Sequence, residues 1–297
     1  MEETMAETGY IAVERVEGRS TVTRCFCKYP LKLIVPKKVA PSATDAVWIY
    51  SISYGGGIVS GDRVSCGLSV ADDCTVALTT QASTKVYKSV DSKCSEQALE
   101  ARVGRNAFLA VIPDPVTCFS TARYSQKQVF YVFPDSNLVV VDWITSGRHE
   151  SGERWNFELY KSTNHIFGEG HQPLFIDSIL LEERSGTSIS KNMQGYQVIA
   201  MIIIMGPKLK HVQNQVLDEV KRMMSGHFRT PGPATGRSGL KHEPKKPELV
   251  ASCSTFGPKV QVGVVVRVAA MTTESVYMFL RHHLASLEPL LGASPYR

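Results

Sequence analysis

The sequence has no long hydrophobic run. Its longest apolar stretch, residues 198–205, has the length of a strand and falls short of the roughly 20 residues that a membrane-spanning helix needs. The first seven residues are acidic and lack the basic start and apolar core of a secretory signal peptide. We therefore expect a soluble, cytoplasmic protein with no membrane partner.

Cysteine pairing is also missing. The seven cysteines are an odd number and include no C-x-x-C pair, so they are predicted to be free thiols. Cys25 and Cys27 would share one face of a strand, which leaves a soft-metal or disulfide site as the alternative to two buried thiols.

Strong charge and nucleotide motifs are absent too. A net charge of +5 is spread over 33 basic and 28 acidic residues, so no nucleic-acid partner is expected. Gly56 and Gly61 have the spacing of a phosphate-binding P-loop, but Asp62 follows where lysine is needed. A dinucleotide fingerprint also fails, because no helical pattern follows the glycines.

No complete catalytic or metal motif is found. His149-Glu150 resembles the start of a zinc-protease motif, but Glu153 stands in place of its second histidine. His282 and His283 are neighbours on a predicted helix, where adjacent residues diverge by about 100°, so we expect that they cannot hold one ion together. There is no G-x-S-x-G nucleophile elbow, although a triad assembled from distant residues stays open.

The most distinctive stretch that is present is the glycine-rich segment 55–63. Its glycines, Gly55, Gly56, Gly57 and Gly61, predict positive φ angles or close approach of another part of the chain. Strand-like runs flank it, so it should join strand to strand. The plainer interpretation is a β-turn in which Asp62 accepts loop N–H bonds.

Period-two alternation with frequent turn signals dominates the first 190 residues and predicts a mainly β fold rather than βαβ units. The predicted strands are 11–16, 20–27, 31–36, 47–54, 64–70, 74–80, 85–88, 98–103, 107–112, 125–132, 137–143, 198–205, 249–253 and 260–268.

Helical periodicity is confined to the last third of the chain, at 209–224 and 276–290, where each segment has one apolar stripe. Residues 1–10 are predicted to be a flexible polar tail. The segment 226–247, rich in glycine, proline and charge, is predicted to be a flexible loop. We interpret residues 1–297 as a single domain.

Four ordered motifs carry a family resemblance: 55–63 (GGGIVSGDR), 78–87 (LTTQASTKVY), 112–115 (IPDP) and 146–155 (SGRHESGERW). In order and spacing they resemble the signatures of the UreD (also called UreH) family of urease accessory proteins, with a match from about residue 15 to 185. The N-terminal extension and the length of the 231–247 loop are closer to plant members.

That resemblance implies a β-helix-like stack of short strands with two helices near the C-terminal end. It implies a non-enzymatic, metallochaperone-type factor that acts with UreF and the GTPase UreG on apo-urease, so that nickel reaches the active site. No tightly bound cofactor is expected, beyond transient Ni²⁺. The residues of the matched motifs singled out as structural are Gly55, Gly56, Gly57, Gly61, Lys85, Gly147 and Arg148.

Five carboxylates lie at the ends of predicted strands: Asp62, Asp114, Asp142, Glu150 and Glu153. Under the resemblance, three of them are candidates for a transient nickel path. Histidine and cysteine would trap Ni²⁺, whereas carboxylates, carbonyls and water hold it loosely enough to release it. The hypothesis places Asp62 first, with Asp142 and Glu153 as weaker candidates. Two alternatives stay open: a hydrolase with Asp62 and Glu153 as acid and base, and a binding module with an exposed apolar patch.

Overall fold

Strands are the predominant secondary structure in the computed structural model, which describes residues 7–36, 44–183, 186–227, 246–257 and 263–296. Over these residues the strands, numbered in chain order, are β1 (Gly9–Val16), β2 (Arg19–Cys27), β3 (Leu31–Ile34), β4 (Val47–Ser53), β5 (Arg63–Val70), β6 (Thr75–Thr80), β7 (Thr84–Val86), β8 (Ser95–Val103), β9 (Phe108–Val111), β10 (Val116–Cys118), β11 (Arg123–Val132), β12 (Asn137–Thr145), β13 (Leu159–Phe167), β14 (Pro173–Glu182), β15 (Val198–Met205), β16 (Leu249–Phe256) and β17 (Gly263–Ala270).

The strands form two sheets. Sheet A has the order β14-β13-β11-β8-β5-β1-β2, and sheet B has the order β16-β17-β15-β12-β9-β6-β4-β3, with the short β7 and β10 beside β12. From β4 to β13 the chain passes back and forth between the sheets, and successive strands within each sheet pair in parallel. The prediction of a mainly β, β-helix-like stack is confirmed.

Antiparallel strands close the ends of the stack: β2 beside β1, β14 beside β13, β3 beside β4, and β15, β17 and β16 beyond β12. Strand β1 begins at Gly9, inside the predicted 1–10 tail, because Gly9 pairs with Cys27 on one side and Cys66 on the other. Residues 1–6 lie outside the described ranges.

The main core lies between the sheets, and a second core lies between sheet B and the helices. Strand β12 shows the division: Leu138 and Val140 face the first core, whereas Val139, Val141 and Trp143 face the second. Every residue of β12 is buried for this reason. The same period of two directs the side chain of Asp142 into the space between the sheets.

The two late helices are confirmed as α2 (Lys210–His227) and α3 (Thr273–Leu284). Thr272 caps α3 by accepting a hydrogen bond from the Ser275 N–H. The second predicted helix is wrong in one respect, since it breaks after Leu284 into a 3₁₀ turn and the short α4 (Glu288–Leu291). Pro289 lies in the first turn of α4, where a missing N–H costs nothing.

The helices differ from the prediction at the end of α2 and before β15. Helix α2 runs past Gly226 to His227, and most of the predicted 226–247 loop, residues 228–245, lies outside the described residues. A one-turn helix, α1 (Ile189–Asn192), was not predicted. Within the described chain, no helix is long and apolar enough to cross a membrane.

Candidate functional site

Asp142 is the centre of a buried polar cluster between the sheets. Its Oδ1 accepts a hydrogen bond from Gln126 Nε2 at 2.6 Å, and its Oδ2 accepts from Ser162 Oγ at 2.5 Å and Asn164 Nδ2 at 2.7 Å. Tyr160 Oη lies 3.5 Å from Oδ1. Strand β12 of sheet B thus supplies the carboxylate, and strands β11 and β13 of sheet A supply the donors.

Burial raises the pKa of Asp142, while the hydrogen bonds from Ser162, Asn164 and Gln126 oppose that rise. The donors that contact the carboxylate are neutral side chains, so they stabilise the ionised form without cancelling its charge. A carboxylate surrounded by amide and hydroxyl groups is an oxygen-rich site of the type that binds divalent cations weakly.

Asp142 lines two cavities. One, of about 80 Å³, lies between the sheets and is lined by Gln97, Gln126 and Asp142 among others. The second, of about 450 Å³, is lined by Asp142 together with Tyr160 and Arg267. Asp142 therefore faces both spaces at once.

Asp114 is a second carboxylate residue that lines the inner cavity. Together with Thr79 and Thr80 it lines both the 80 Å³ cavity and a third one of about 1010 Å³. Tyr277 of α3 donates a hydrogen bond from its hydroxyl to Asp114 Oδ1 at 2.7 Å. The pKa of Tyr277 is raised, first by burial and second by this hydrogen bond to Asp114. The 80 Å³ cavity therefore shares one carboxylate residue with each of the other two, Asp142 with the 450 Å³ cavity and Asp114 with the 1010 Å³ cavity.

The glycine-rich segment lies against the second sequence motif. Gly55, Gly56 and Gly61 have φ angles of 79°, 75° and 80°, which side chains other than glycine rarely adopt. Gly57 is extended, but a Cβ there would lie 2.7 Å from the Lys85 carbonyl oxygen. The segment therefore needs glycine both for positive φ angles and for close approach of the Lys85 backbone. It joins β4 to β5 as predicted.

Asp62 closes that loop. Its Oδ2 accepts a hydrogen bond from the Val59 N–H at 2.9 Å, and its own N–H donates to the Val59 carbonyl at 2.9 Å. This arrangement matches the alternative of a turn-stabilising aspartate. Asp62 lines none of the three cavities described above.

The fourth motif meets the first two through aromatic rings. The Arg148 side chain donates two hydrogen bonds to Glu153, Nε to Oε2 at 3.1 Å and Nη2 to Oε1 at 2.5 Å, and the Arg148 backbone N–H donates a third to Oε2 at 3.3 Å. The Arg148 guanidinium lies 4.0 Å from the ring centre of Phe119. Phe119 in turn packs edge-on against Tyr87, whose hydroxyl donates to the Gly55 carbonyl at 3.0 Å.

The neighbouring positions of these motifs fit the same arrangement. Gly147 has a φ of 128° and lies under Glu153, whose Cβ would be 3.1 Å from an added Cβ. Lys85 is exposed, and its carbonyl accepts the Ile58 N–H at 2.7 Å. The third motif joins through the Asp114 N–H, which donates to Thr80 Oγ1 at 2.9 Å. The second motif therefore contacts the first and the third directly, and the fourth is linked to the second through Phe119.

The three carboxylates selected from the sequence do not form one metal site. Asp142 is in the interior, Asp62 is in the loop, and Glu153 is bound to Arg148. Among the described residues, the one group of three or more ligand side chains with converging atoms is Glu219, His282 and His283. The expectation that the two histidines cannot reach one point is therefore wrong, because they present different ring nitrogens.

Comparison with known proteins settles the family. The model of the UreD urease accessory protein family matches residues 7–297. This chain belongs to the UreD family. The match includes the C-terminal third, which the four motifs do not reach, and it confirms the resemblance seen in the sequence.

Individual UreD relatives agree with that assignment. Urease accessory protein D of Oryza sativa subsp. japonica is 63% identical over 294 residues, covering 98% of this chain and 94% of that protein. Urease accessory protein D of Arabidopsis thaliana is 59% identical over 292 residues, covering 97% and 99%. Urease accessory protein UreD of Anaeromyxobacter sp. is 32% identical over 291 residues, covering 98% and 89%. The higher identity to the two plant proteins fits the plant-like character predicted from the sequence.

Proposed function

We propose that this protein is a non-enzymatic factor in urease maturation, which acts with a UreF-like protein and a UreG-like GTPase to load nickel into apo-urease. Membership of the UreD family and the names of its relatives support the role in maturation. Nickel is the cargo in this proposal, and no resident cofactor is invoked.

The metal is proposed to pass through the interior past Asp142. The observation that carries this step is that one buried carboxylate, held by neutral donors, lines two cavities. Asp114, which lines the 80 Å³ and 1010 Å³ cavities, extends the same path. Oxygen ligands release Ni²⁺ more readily than imidazole or thiolate does, which suits a group that must pass the ion onward.

Asp62 and Glu153 are proposed to act outside this path. Asp62 stabilises the loop that joins β4 to β5, and the pKa of Glu153 is lowered chiefly by the Arg148 hydrogen bond. An ionised Glu153 that accepts hydrogen bonds from Arg148 is a poor general acid. This argues against the alternative of a hydrolase with Asp62 and Glu153 as acid and base. We propose that both residues have structural roles, Asp62 in the loop of the first motif and Glu153 in the fourth motif.

The docking face is proposed to be the surface around the glycine-rich segment. Val59 of that segment and the preceding Tyr54 are exposed, and so is Val90, whose carbonyl accepts a hydrogen bond from Ser60. Exposed apolar side chains grouped beside a rigid loop favour a protein partner. A UreF-like protein is the occupant that we propose.

Reconstitution tests this proposal. Apo-urease is incubated with nickel, bicarbonate, GTP, UreF and UreG, with and without the full chain, and nickel bound per urease is measured. We expect loading to depend on the chain, and the isolated chain to show no turnover of small esters or glycosides. Equal loading without the chain, or turnover by the chain alone, would overturn the proposal.

A further inference from the structure

Two histidine rings of α3 and one carboxylate of α2 come together where these helices pack, in a part of the sequence that contains none of the four motifs. Glu219 of α2 places its Oε2 2.9 Å from His282 Nε2 and 3.1 Å from His283 Nδ1. The three ligand atoms all lie within 4.8 Å of one another. His282 approaches Glu219 Oε2 with Nε2, the ring nitrogen farther from its backbone, and His283 approaches with Nδ1, the nearer one. This difference lets two neighbouring residues of a helix converge on one atom.

The contact of His283 is incomplete. Its side chain is 5% exposed, and its Nδ1 is buried without a hydrogen bond although Glu219 Oε2 is 3.1 Å away. The separation is short enough for a hydrogen bond, so the direction of the contact must be unsuitable. A buried nitrogen without a partner costs stability, and Nδ1 keeps one unused coordination position.

We propose that Glu219, His282 and His283 bind one first-row divalent transition-metal ion, Zn²⁺ or Ni²⁺. Two imidazole nitrogens and one carboxylate oxygen are a donor set that such ions favour over Mg²⁺ or Ca²⁺. The site is separate from the Asp142 path, and it does not depend on the function proposed above.

The spacing of the ligand atoms fits such an ion. With ligand bonds of about 2.0–2.1 Å, tetrahedral coordination places ligand atoms about 3.3 Å apart. The two separations from Glu219 Oε2, 2.9 and 3.1 Å, reach this value with shifts of a few tenths of an ångström. The two histidine nitrogens lie within 4.8 Å of each other, and the exposed His282 ring has to turn towards His283 as the ion binds. An ion between the three atoms would also supply the partner that His283 Nδ1 lacks.

The surroundings permit entry of an ion. The cluster lines a groove of about 530 Å³ on the surface, together with Met223, Leu249 and Met278. Arg222 lies 4.0 Å from Glu219 Oε1, and its side chain is 76% exposed, so it can turn away into solvent.

The competing explanation is that Glu219 does no more than tie α2 to α3 by hydrogen bonds. That explanation requires no metal. Equilibrium dialysis of the full chain against Zn²⁺ and, separately, Ni²⁺ distinguishes the two, with Glu219→Gln and His282→Asn as test variants. His282 is suitable because its side chain is 64% exposed, so its replacement leaves the core intact.

His211→Asn is the matched control, since His211 is an exposed histidine on the same helix as Glu219. We expect the wild-type chain and His211→Asn to bind one more ion than Glu219→Gln and His282→Asn, or to bind it at least tenfold more tightly. Asp142→Asn should keep this ion, which separates the result from the nickel path. Equal binding by all five chains, or no binding by the wild type, would overturn the proposal.

A spectroscopic measurement keeps the test decisive if other histidines or cysteines bind metal. Co²⁺ added to the wild-type chain should produce visible absorption bands that Glu219→Gln lacks, and Zn²⁺ should raise the melting temperature of the wild type by several degrees more than that of Glu219→Gln. Identical spectra and identical melting shifts would count against the site.

Discussion

Gln126 of sheet A donates a hydrogen bond from its amide nitrogen to the Asp142 carboxylate of sheet B across 2.6 Å. Ser162 and Asn164 complete the cluster from the same side. A buried polar connection between two sheets is demanding, because each of its groups must be satisfied to avoid a desolvation cost. That arrangement links the stability of the fold to the proposed path of the metal.

Replacing Asp142 with asparagine should destabilise the fold. The asparagine amide nitrogen would meet donors where a carboxylate oxygen now accepts, so we expect a loss of about 1–3 kcal/mol of unfolding free energy. Urea unfolding measures this. Asp62→Asn is the control, because its amide oxygen can still accept the Val59 N–H, and it should change stability by no more than about 0.5 kcal/mol. Equal losses in both variants would contradict the account of Asp142.

Gly57→Ala should disturb the contact between the first two motifs. The added Cβ would lie 2.7 Å from the Lys85 carbonyl, which accepts the Ile58 N–H. We therefore expect faster hydrogen exchange at Ile58 and a loss of about 1–3 kcal/mol. Gly55→Ala has open space around the new methyl group and a φ of 79°, so it should cost about 1–2 kcal/mol without the change at Ile58. Unchanged exchange in Gly57→Ala would contradict this.

The Arg148–Glu153 pair should make stability depend on pH in acid. The pKa of Glu153 is lowered from its ordinary 4.5, chiefly by the Arg148 side chain. A lowered folded-state pKa contributes stability that is complete above the ordinary pKa and is lost as the pH falls through the lowered one. We expect the stability difference between wild type and Glu153→Gln to be constant from pH 7 to about 5 and to shrink below that. A difference that does not change in acid would contradict the role of the pair.

Thr272→Ala should weaken the start of α3. The Thr272 hydroxyl accepts the Ser275 N–H at 3.1 Å, and loss of such a cap costs about 1 kcal/mol. Thermal unfolding measures the change. Thr273→Ala is the control, since Thr273 lies one residue inside the helix and serves no capping role. A larger effect at Thr273 would show that the helix begins elsewhere.

The strands were predictable where one face is apolar and the period is two. Strand β13 was missed because its buried face carries Ser162 and Asn164, so no apolar alternation marks it. Those two residues are polar because they donate to Asp142. The sequence signal therefore fails where the interior becomes polar for the sake of the candidate site.

The site was predictable in part. Asp142, Asp114 and the four motifs were identified from the sequence. Ranking Asp142 above Asp62 required two facts that the sequence does not give, namely which residues of β12 point between the sheets and where the cavities lie. Asp62 drew attention because of its glycine neighbours, and the structure places it in a turn. Glu219 had no local signal, because its partners His282 and His283 lie more than sixty residues further along the chain.

Nickel loading with an altered Asp142 is the most direct test of the central claim. Complexes of urease, UreF and UreG are assembled with the wild-type chain, Asp142→Asn or Asp62→Asn, those that co-purify intact are selected, and nickel per urease is measured. We predict that Asp142→Asn assembles but loads markedly less nickel, whereas Asp62→Asn loads as the wild type does. Normal loading by intact complexes that contain Asp142→Asn would contradict an interior path past this carboxylate.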